Sequence, residues 1–160
     1  CSLASGGAAG RRVEAAMYQR ILIPTDGSDI TAKAVTTAVG LAKAVGASLE
    51  TLSVKEPFPY SAVSEIQPVP PQEFFDAQEQ IAQQRVQQVV AACRDAGLPC
   101  AATTVEAPHP YEAIIDHAKA RGCDLIVMAS HGRRGMRALL LGSETQKVLT
   151  HGTVAVLVVR

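Results

Sequence analysis

The chain has 160 residues, 48% of them hydrophobic, which is enough apolar material for one domain with a substantial core. Lys and Arg together number 15, as do Asp and Glu, so the net charge is zero and gives no general attraction to nucleic acids or anionic membranes. Trp is absent and aromatic residues make up only 4%, which argues against base-stacking surfaces. No apolar run approaches the roughly 18 residues of a membrane span.

Four cysteines are spread along the chain: Cys1, Cys93, Cys100 and Cys123. They form neither a C-x-x-C pair nor a zinc-binding spacing, so we interpret them as small, buried or half-buried apolar residues. Nothing in their number suggests a disulfide framework, and we therefore expect a cytoplasmic protein. The histidines at positions 109, 117 and 151 show no metal-ligand spacing, and no metal site is predicted.

Residues 1–16 are rich in Ala, Gly and Ser and lack the apolar core of a signal peptide. We expect this segment to be a disordered tail or a remnant of cloning that stays outside the fold. Met17 is then the natural start, and the domain covers residues 17–160.

The first predicted elements are a short buried strand at residues 20–24, a helix over 29–46 and a second strand at 47–54. A turn, Thr25 to Ser28, joins the first strand to the helix. Asp26 stands in this turn, directly after the carboxyl end of the strand. Its carboxylate either accepts a hydrogen bond from a ligand or only stabilises its own turn, and its position at a strand end favours a ligand.

Residues 55–71 hold five of the nine prolines and are predicted to form a long loop, either a lid over a site or a passive surface excursion. A long helix over 72–96 follows. One side of it is apolar and is expected to face the core: Phe75, Ile81, Ala82, Val86, Val89, Val90 and Cys93.

The second half of the chain continues the alternation of strands and helices. Strands are predicted at 100–105, 125–128 and 153–159, and helices at 111–121 and 143–150. This alternation indicates an α/β domain with an open parallel sheet that is covered by helices on both faces. In such sheets ligands bind beyond the carboxyl ends of the strands, where the strand order reverses.

The loop after the fourth strand is rich in glycine, with Gly132 and Gly135, and Gly142 directly precedes Ser143 at the start of a helix. Glycine allows the backbone to approach a ligand, and the free N–H groups at a helix N-terminus attract anions. The pattern therefore predicts a phosphate site. Gly142 and Ser143 also suit a simple loop and helix cap, and the two roles are compatible.

Basic side chains lie within this loop: Arg133, Arg134 and Arg137. They either clamp phosphates or belong to a solvated loop, and both interpretations stay open. His131 is likewise either a phosphate ligand or a surface histidine. The loop fits neither the Walker A pattern nor the dinucleotide-binding G-x-G-x-x-G pattern.

Three segments together resemble the universal stress protein family. They are Ile-Leu-Ile-Pro-Thr-Asp-Gly-Ser at 21–28, Met-Ala-Ser-His-Gly at 128–132 with Gly-Ser nine residues later, and Val-Ala-Val-Leu-Val-Val at 154–159. The middle segment is similar to the family's nucleotide loop, G-x2-G-x9-G-[ST]. The resemblance covers Tyr18 to Arg160. It implies a doubly wound, Rossmann-like five-stranded parallel sheet of order 3-2-1-4-5, a homodimer and, in one branch of the family, bound ATP.

The resemblance also implies roles for single residues. Asp26 matches the aspartate that holds the nucleoside, Val54 and Met128 match or adjoin the adenine pocket, and Glu144 and Thr145 follow the motif with N–H or hydroxyl groups for phosphate. The full predicted nucleotide site is Pro24, Thr25, Asp26, Val54, Met128, Ala129, His131, Gly132, Arg133, Gly142, Ser143, Glu144 and Thr145.

Ala129 stands where the family motif has its first glycine. Because a methyl group is added where the backbone nears the ribose, we expect weaker nucleotide binding at this position, not its loss.

These patterns predict a cytoplasmic, stress-responsive regulator or sensor that binds ATP, ADP or AMP, with Mg²⁺ accompanying the nucleotide. It is expected to dimerise through the apolar edge strand, Thr153 to Val159. One alternative is a dimeric interaction protein of the same fold that binds no nucleotide. A slow ATP hydrolase is the weakest alternative, because the sequence shows neither a nucleophile elbow nor a carboxylate pair, and no catalytic residue is assigned.

Overall fold

A computed structural model of the chain describes residues 17–59, 71–132 and 141–160. The five strands are β1 (Arg20–Pro24), β2 (Ser48–Lys55), β3 (Cys100–Glu106), β4 (Leu125–Ala129) and β5 (Ala155–Val159). The four helices are α1 (Asp29–Val45), α2 (Gln72–Asp95), α3 (Pro110–Ala120) and α4 (Ser143–His151). The predicted elements are confirmed, with boundaries that move by one or two residues. The expected tail and most of the proline-rich loop, residues 60–70, lie outside the described ranges.

All strand pairs are parallel, and the sheet order is β3-β2-β1-β4-β5, which confirms the predicted topology. The chain starts in the middle of the sheet, adds β2 and β3 on one side and then crosses to add β4 and β5 on the other. The strand order therefore reverses between β1 and β4. A crevice opens at such a point, beyond the carboxyl ends of the two strands.

Each face of the sheet carries its own apolar core. Because side chains alternate along a strand, Ile21 and Ile23 of β1 face one side and Leu22 faces the other. The first side packs against α1 and α2, and the second against α3 and α4. Strands buried on both faces explain the nearly continuous apolar runs in the sequence.

The core-facing side of α2 is narrower than predicted. Ala82, Val86, Val89 and Cys93 are buried, at the three- and four-residue spacing of one helix face. Ile81 falls outside this stripe and is 40% exposed, so its assignment to the core is wrong.

Phe75 of α2 belongs to a small aromatic cluster at the start of the helix. Its ring centroid lies 5.7 Å from that of Phe74 and 6.4 Å from that of Phe58 in the segment after β2. The cluster packs the segment after β2 against the start of α2. None of the helices in the described ranges combines the length and the apolar character needed to cross a bilayer.

An ion-pair network around one buried carboxylate lies toward the amino-terminal ends of the strands. Glu50 of β2 is only 4% exposed, and the Nε of Arg121 donates to both of its carboxylate oxygens at 3.1 Å. His117 Nε2 lies 3.2 Å from the same carboxylate, and Arg20 Nη1 lies at 3.7 Å. The network connects β1 and β2 to the end of α3, at the ends of the strands away from the crevice. His117 therefore has a structural contact.

Candidate functional site

The candidate site begins where β1 ends. Pro24 pairs with Leu52 of β2, and the Thr25 N–H donates to the Leu52 carbonyl at 2.9 Å. Thr25 is buried, at 8% exposure. These contacts continue the line of β1 by one residue and place Asp26 immediately beyond the carboxyl edge of the sheet.

The Asp26 carboxylate is fixed by its own turn. Its Oδ1 accepts hydrogen bonds from the Ser28 N–H at 3.0 Å, the Ser28 hydroxyl at 2.6 Å and the Thr31 hydroxyl at 2.8 Å. Oδ1 therefore has the turn-forming role that the sequence offered as one alternative for Asp26. Ser28 and Thr31 were not predicted as site residues, although a serine two positions after an aspartate is a typical signal of this turn.

The second oxygen of Asp26 lies against the glycine loop. A Cβ added to Gly132 would stand only 2.6 Å from Asp26 Oδ2, closer than real Cβ contacts allow. Gly132 is therefore required for the carboxylate to occupy this place. The turn after β1 and the loop after β4 meet here, as the convergence of the two strand ends predicts.

Gly142 anchors the far end of the glycine loop. Its N–H donates to the Ser130 carbonyl at 2.7 Å, and an added Cβ would lie 3.0 Å from His131 Cα. The close approach explains why glycine occupies this position. It brings the start of α4 next to the end of β4.

The start of α4 offers backbone donors. The first bond of the helix runs from the Gln146 N–H to the Gly142 carbonyl at 3.0 Å, so the N–H groups of residues 143–145 precede the intrahelical ladder. Ser143 is exposed. In contrast, Thr145 is buried, at 3% exposure, and its hydroxyl donates to the Ala129 carbonyl at 3.0 Å. Thr145 thus holds α4 against β4 with its side chain, and its backbone N–H belongs to the donors at the start of the helix.

The Glu144 carboxylate turns toward α3. Its Oε2 accepts the Tyr111 N–H at 2.9 Å, and its Oε1 lies 3.4 Å from Lys147 Nζ. The side chain therefore caps the first turn of α3. It links the helix that carries the predicted phosphate donors to its neighbour.

Apolar side chains lie below the crevice. Val54 and Met128 both pack with the core of the α3 and α4 face. Met128 is 6% exposed, whereas Val54 is half-buried near the end of β2. Ala129 alternates with Met128 and shares the opposite face with Val127. Its methyl group is thus on the α1 side of the sheet, away from the Val54 and Met128 side chains.

A polar cluster fastens the β2 end of the site to α2. Glu79 accepts hydrogen bonds from Lys55 Nζ at 2.6 Å, Gln83 Nε2 at 2.8 Å and the Thr104 hydroxyl at 2.9 Å. These donors, Lys55 foremost, lower the pKa of Glu79 to about 2. The cluster joins β2, β3 and α2 one residue beyond Val54.

The described members of the predicted site lie on four pieces of backbone: the end of β1 with the turn after it, the end of β2, the end of β4 with the residues after it, and the start of α4. His131 is half-buried, and its Nδ1 lies 3.1 Å from the Ser130 hydroxyl. Arg133, together with Arg134, Gly135 and Arg137, lies outside the described residues.

Comparison with known proteins finds a family whose sequence model matches this chain. The model described as the universal stress protein family matches residues 17–160. Universal stress protein YxiE of Bacillus subtilis is 33% identical over 148 residues, which are 90% of this chain and 100% of the relative.

Solved structures share the fold. Universal stress protein UspA from Lactobacillus plantarum superposes with a TM-score of 0.74 at 29% identity, over 89% of this chain and 98% of that chain. A universal stress protein in complex with cAMP gives a TM-score of 0.66 at 23% identity, over 89% and 97%. The protein from Archaeoglobus fulgidus in complex with dAMP gives 0.63 at 18% identity, over 89% and 98%.

Proposed function

Because this chain belongs to the universal stress protein family, we propose that it binds an adenine nucleotide, ATP or AMP, in the crevice between β1 and β4. We further propose that it acts in the cytoplasm as a regulator or sensor of that nucleotide. The observation that carries the proposal is the approach of Asp26 Oδ2 to Gly132, because it joins a fixed carboxylate to the glycine loop. A fixed carboxylate beside a glycine loop, at the point where the strand order reverses, suits the binding of a nucleotide.

In the proposed binding mode, three sets of protein groups contact different parts of the ligand. The phosphates lie at the N–H groups that open α4, where the helix dipole favours negative charge. The adenine lies over Val54 and Met128, and Asp26 accepts a hydrogen bond from a ribose hydroxyl or the adenine amine. When the ligand is ATP, Mg²⁺ arrives with the nucleotide and offsets the charge of the phosphates.

The ligands of the two distant structures support adenine and the 5′-phosphate as the recognised parts. One contains cAMP, in which the 3′-oxygen is esterified, and the other contains dAMP, which lacks the 2′-hydroxyl. No free ribose hydroxyl is common to the two ligands. By analogy we expect this chain to tolerate changes in the ribose hydroxyls better than a change of base.

We also propose a homodimer. The apolar strand β5 is at an edge of the sheet, and Leu157 on it is 38% exposed. Pairing of β5 with its copy around a two-fold axis would cover this edge.

The test is nucleotide binding by calorimetry with AMP, ATP, Mg-ATP and GTP, combined with chromatography of the nucleotides released when the purified protein is denatured. We expect adenine nucleotides to bind and GTP to bind at least about tenfold more weakly. Asp26→Asn keeps the size of the side chain and should weaken binding about tenfold or more, because the charged acceptor is lost.

Asp29→Asn is the matched control, since Asp29 is an exposed carboxylate in the first turn of α1. It should bind as the unsubstituted protein does. If no adenine nucleotide is released or bound by the unsubstituted protein, the proposal fails and the result favours the alternative, an interaction protein of the same fold that binds no nucleotide.

A further inference from the structure

Two cysteines outside the nucleotide site lie on either side of one tight turn. Cys93 is in the last turn of α2 and is 0% exposed, and Cys100 is the first residue of β3. The Leu98 N–H donates to the Cys93 carbonyl at 2.9 Å, and Gly97 has a φ of +77°, which reverses the chain. Cys100 packs against the same apolar core that contains Cys93.

The two thiols interact directly. The hydrogen bond between them is the largest influence on both groups: it lowers the pKa of Cys93 and raises the pKa of Cys100. The first proton is therefore lost from Cys93, and Cys100 keeps its own; the Cys100 S–H also donates to the Ala101 carbonyl at 3.7 Å. After that loss one negative charge and one proton are shared by two neighbouring sulfurs.

The pair has access to solvent through Cys100. Cys100 is half-buried and lines an open, mainly apolar depression of about 400 Å³. The other lining residues come from the end of α2 and the turn: Val90, Arg94, Gly97, Leu98 and Pro99.

We propose that Cys93 and Cys100 are a dithiol that a hydroperoxide oxidises to an intramolecular disulfide. The claim rests on their placement across the turn, on the shared core and on the opening beside Cys100. It is independent of nucleotide binding, because both residues lie at the end of the sheet opposite to the crevice.

The reaction proceeds in two balanced steps. The remaining proton first passes from Cys100 to Cys93, and the Cys100 thiolate that this leaves attacks one peroxide oxygen; the O–O bond breaks and hydroxide leaves, giving a sulfenic acid. Cys93 sulfur then attacks the Cys100 sulfur and gives up its proton; the S–O bond breaks and the second oxygen leaves as water. The dithiol loses two electrons and two protons, and the peroxide is reduced to two waters.

The test uses the full chain with Cys1→Ser, so that the three other cysteines remain. The protein is treated with hydrogen peroxide and the peroxide is removed. The chain is then unfolded in denaturant so that the buried thiols can react, alkylated with iodoacetamide, digested with trypsin and examined by mass spectrometry. Trypsin cuts after Arg94, so Cys93 and Cys100 fall in separate peptides, residues 86–94 and 95–119. We expect these two peptides to become linked, with the loss of two hydrogen atoms, and to separate again with dithiothreitol.

Cys123 provides the internal control. It is buried, and burial raises its pKa to about 11, so its peptide, residues 122–133, should remain alkylated throughout. Cys100→Ser, at the more exposed position, should abolish the linked peptide, whereas Cys123→Ser should leave its yield unchanged. Circular dichroism before and after oxidation checks that the linkage forms in the folded chain.

Three outcomes would overturn the proposal. Both cysteines remain fully alkylated after peroxide, Cys100 advances to a sulfinic acid without linkage, or the linkage joins two chains. Each would show that the two sulfurs do not form a disulfide with each other within one folded chain.

Discussion

Asp26 serves the protein and, by our proposal, the ligand with different parts of one carboxylate. Three donors from Ser28 and Thr31 fix Oδ1, and Oδ2 faces the backbone of Gly132. A carboxylate that is already oriented loses little entropy when a ligand binds. Preorganisation of this kind also makes the position sensitive to any atom added opposite to it.

Gly132→Ala adds such an atom. Its Cβ would lie 2.6 Å from Asp26 Oδ2 and must displace the carboxylate. We expect nucleotide affinity, measured by calorimetry, to fall at least about tenfold. Gly40→Ala is the control: nothing lies within 4 Å of the new Cβ, so it should leave affinity unchanged and raise the free energy of unfolding by about 0.5–1 kcal/mol. Unchanged affinity of Gly132→Ala would contradict the proposed site.

Ala129→Gly restores the glycine of the family motif. The Ala129 methyl group is buried on the α1 face of the sheet, opposite to the Met128 side chain. This placement replaces the expectation from the sequence that Ala129 weakens binding: the substitution should change nucleotide affinity by less than about threefold and lower the free energy of unfolding by about 0.5–1 kcal/mol. A large gain in affinity would instead mean that the methyl group crowds the ribose.

At the scale of elements, the polar cluster around Glu79 determines how α2 is fastened beside the site. Folding lowers the pKa of this carboxyl to about 2 from an ordinary 4.5, so the charged form stabilises the fold. The stabilisation is complete above pH 4.5 and is lost as the pH falls toward 2. Glu79 is 40% exposed, and solvent screening limits the contribution to about 0.5–1 kcal/mol.

Glu79→Gln tests this contribution by denaturant unfolding at several pH values. We expect a loss of about 0.5–1 kcal/mol at pH 7 that shrinks as the pH approaches 2, where the unsubstituted Glu79 is itself becoming neutral. Glu106→Gln replaces an exposed carboxylate at the end of β3 and is the control. A loss that is the same at every pH would assign the effect to packing instead of charge.

The elements themselves were predictable because their signals are local. Buried runs such as Leu125–Ala129 and the proline at position 24 mark strands without reference to the rest of the chain. The sequence placed Ile81 on the core side together with its neighbour Ala82. A helical period counted over many residues does not separate adjacent positions at the edge of the buried stripe, and Ile81 is in fact exposed. The sheet order came from the family resemblance, since alternation of strands and helices alone permits several orders.

The site was predictable as a set of strand ends and only partly as a set of contacts. Gly132 and Gly142 signalled a close backbone approach, but the atoms they approach are set by tertiary structure. Glu144 and Thr145 were expected to offer backbone N–H or hydroxyl groups to phosphate, whereas their side chains bond elsewhere in the fold. Their hydrogen bonds to α3 and β4 depend on residues far away in the sequence, such as Tyr111.

At the scale of the whole molecule, the two edges of the sheet differ in what they expose. β3 carries a row of small and polar residues, whereas β5 is Ala-Val-Leu-Val-Val. An apolar edge strand tends to pair with another chain unless it is covered. This contrast is why the proposed dimer uses β5.

Leu157→Lys should convert the dimer to a monomer, because an edge lysine opposes strand pairing between subunits. Size-exclusion chromatography with light scattering at micromolar concentration measures the change. Ile81→Lys is the matched control, since Ile81 is equally exposed, at 40% against 38%, but belongs to α2. A monomer without any substitution, or a dimer that survives Leu157→Lys, would contradict the proposed interface.

The hydrogen bond from the Gly142 N–H to the Ser130 carbonyl gives the motif one further property. It ties the residue that follows β4 directly to the residue that precedes α4. The Thr145 hydroxyl adds a second tie to the Ala129 carbonyl. The strand end and the first turn of α4 therefore move as one unit, and a shift of either is passed on to the other through these two bonds.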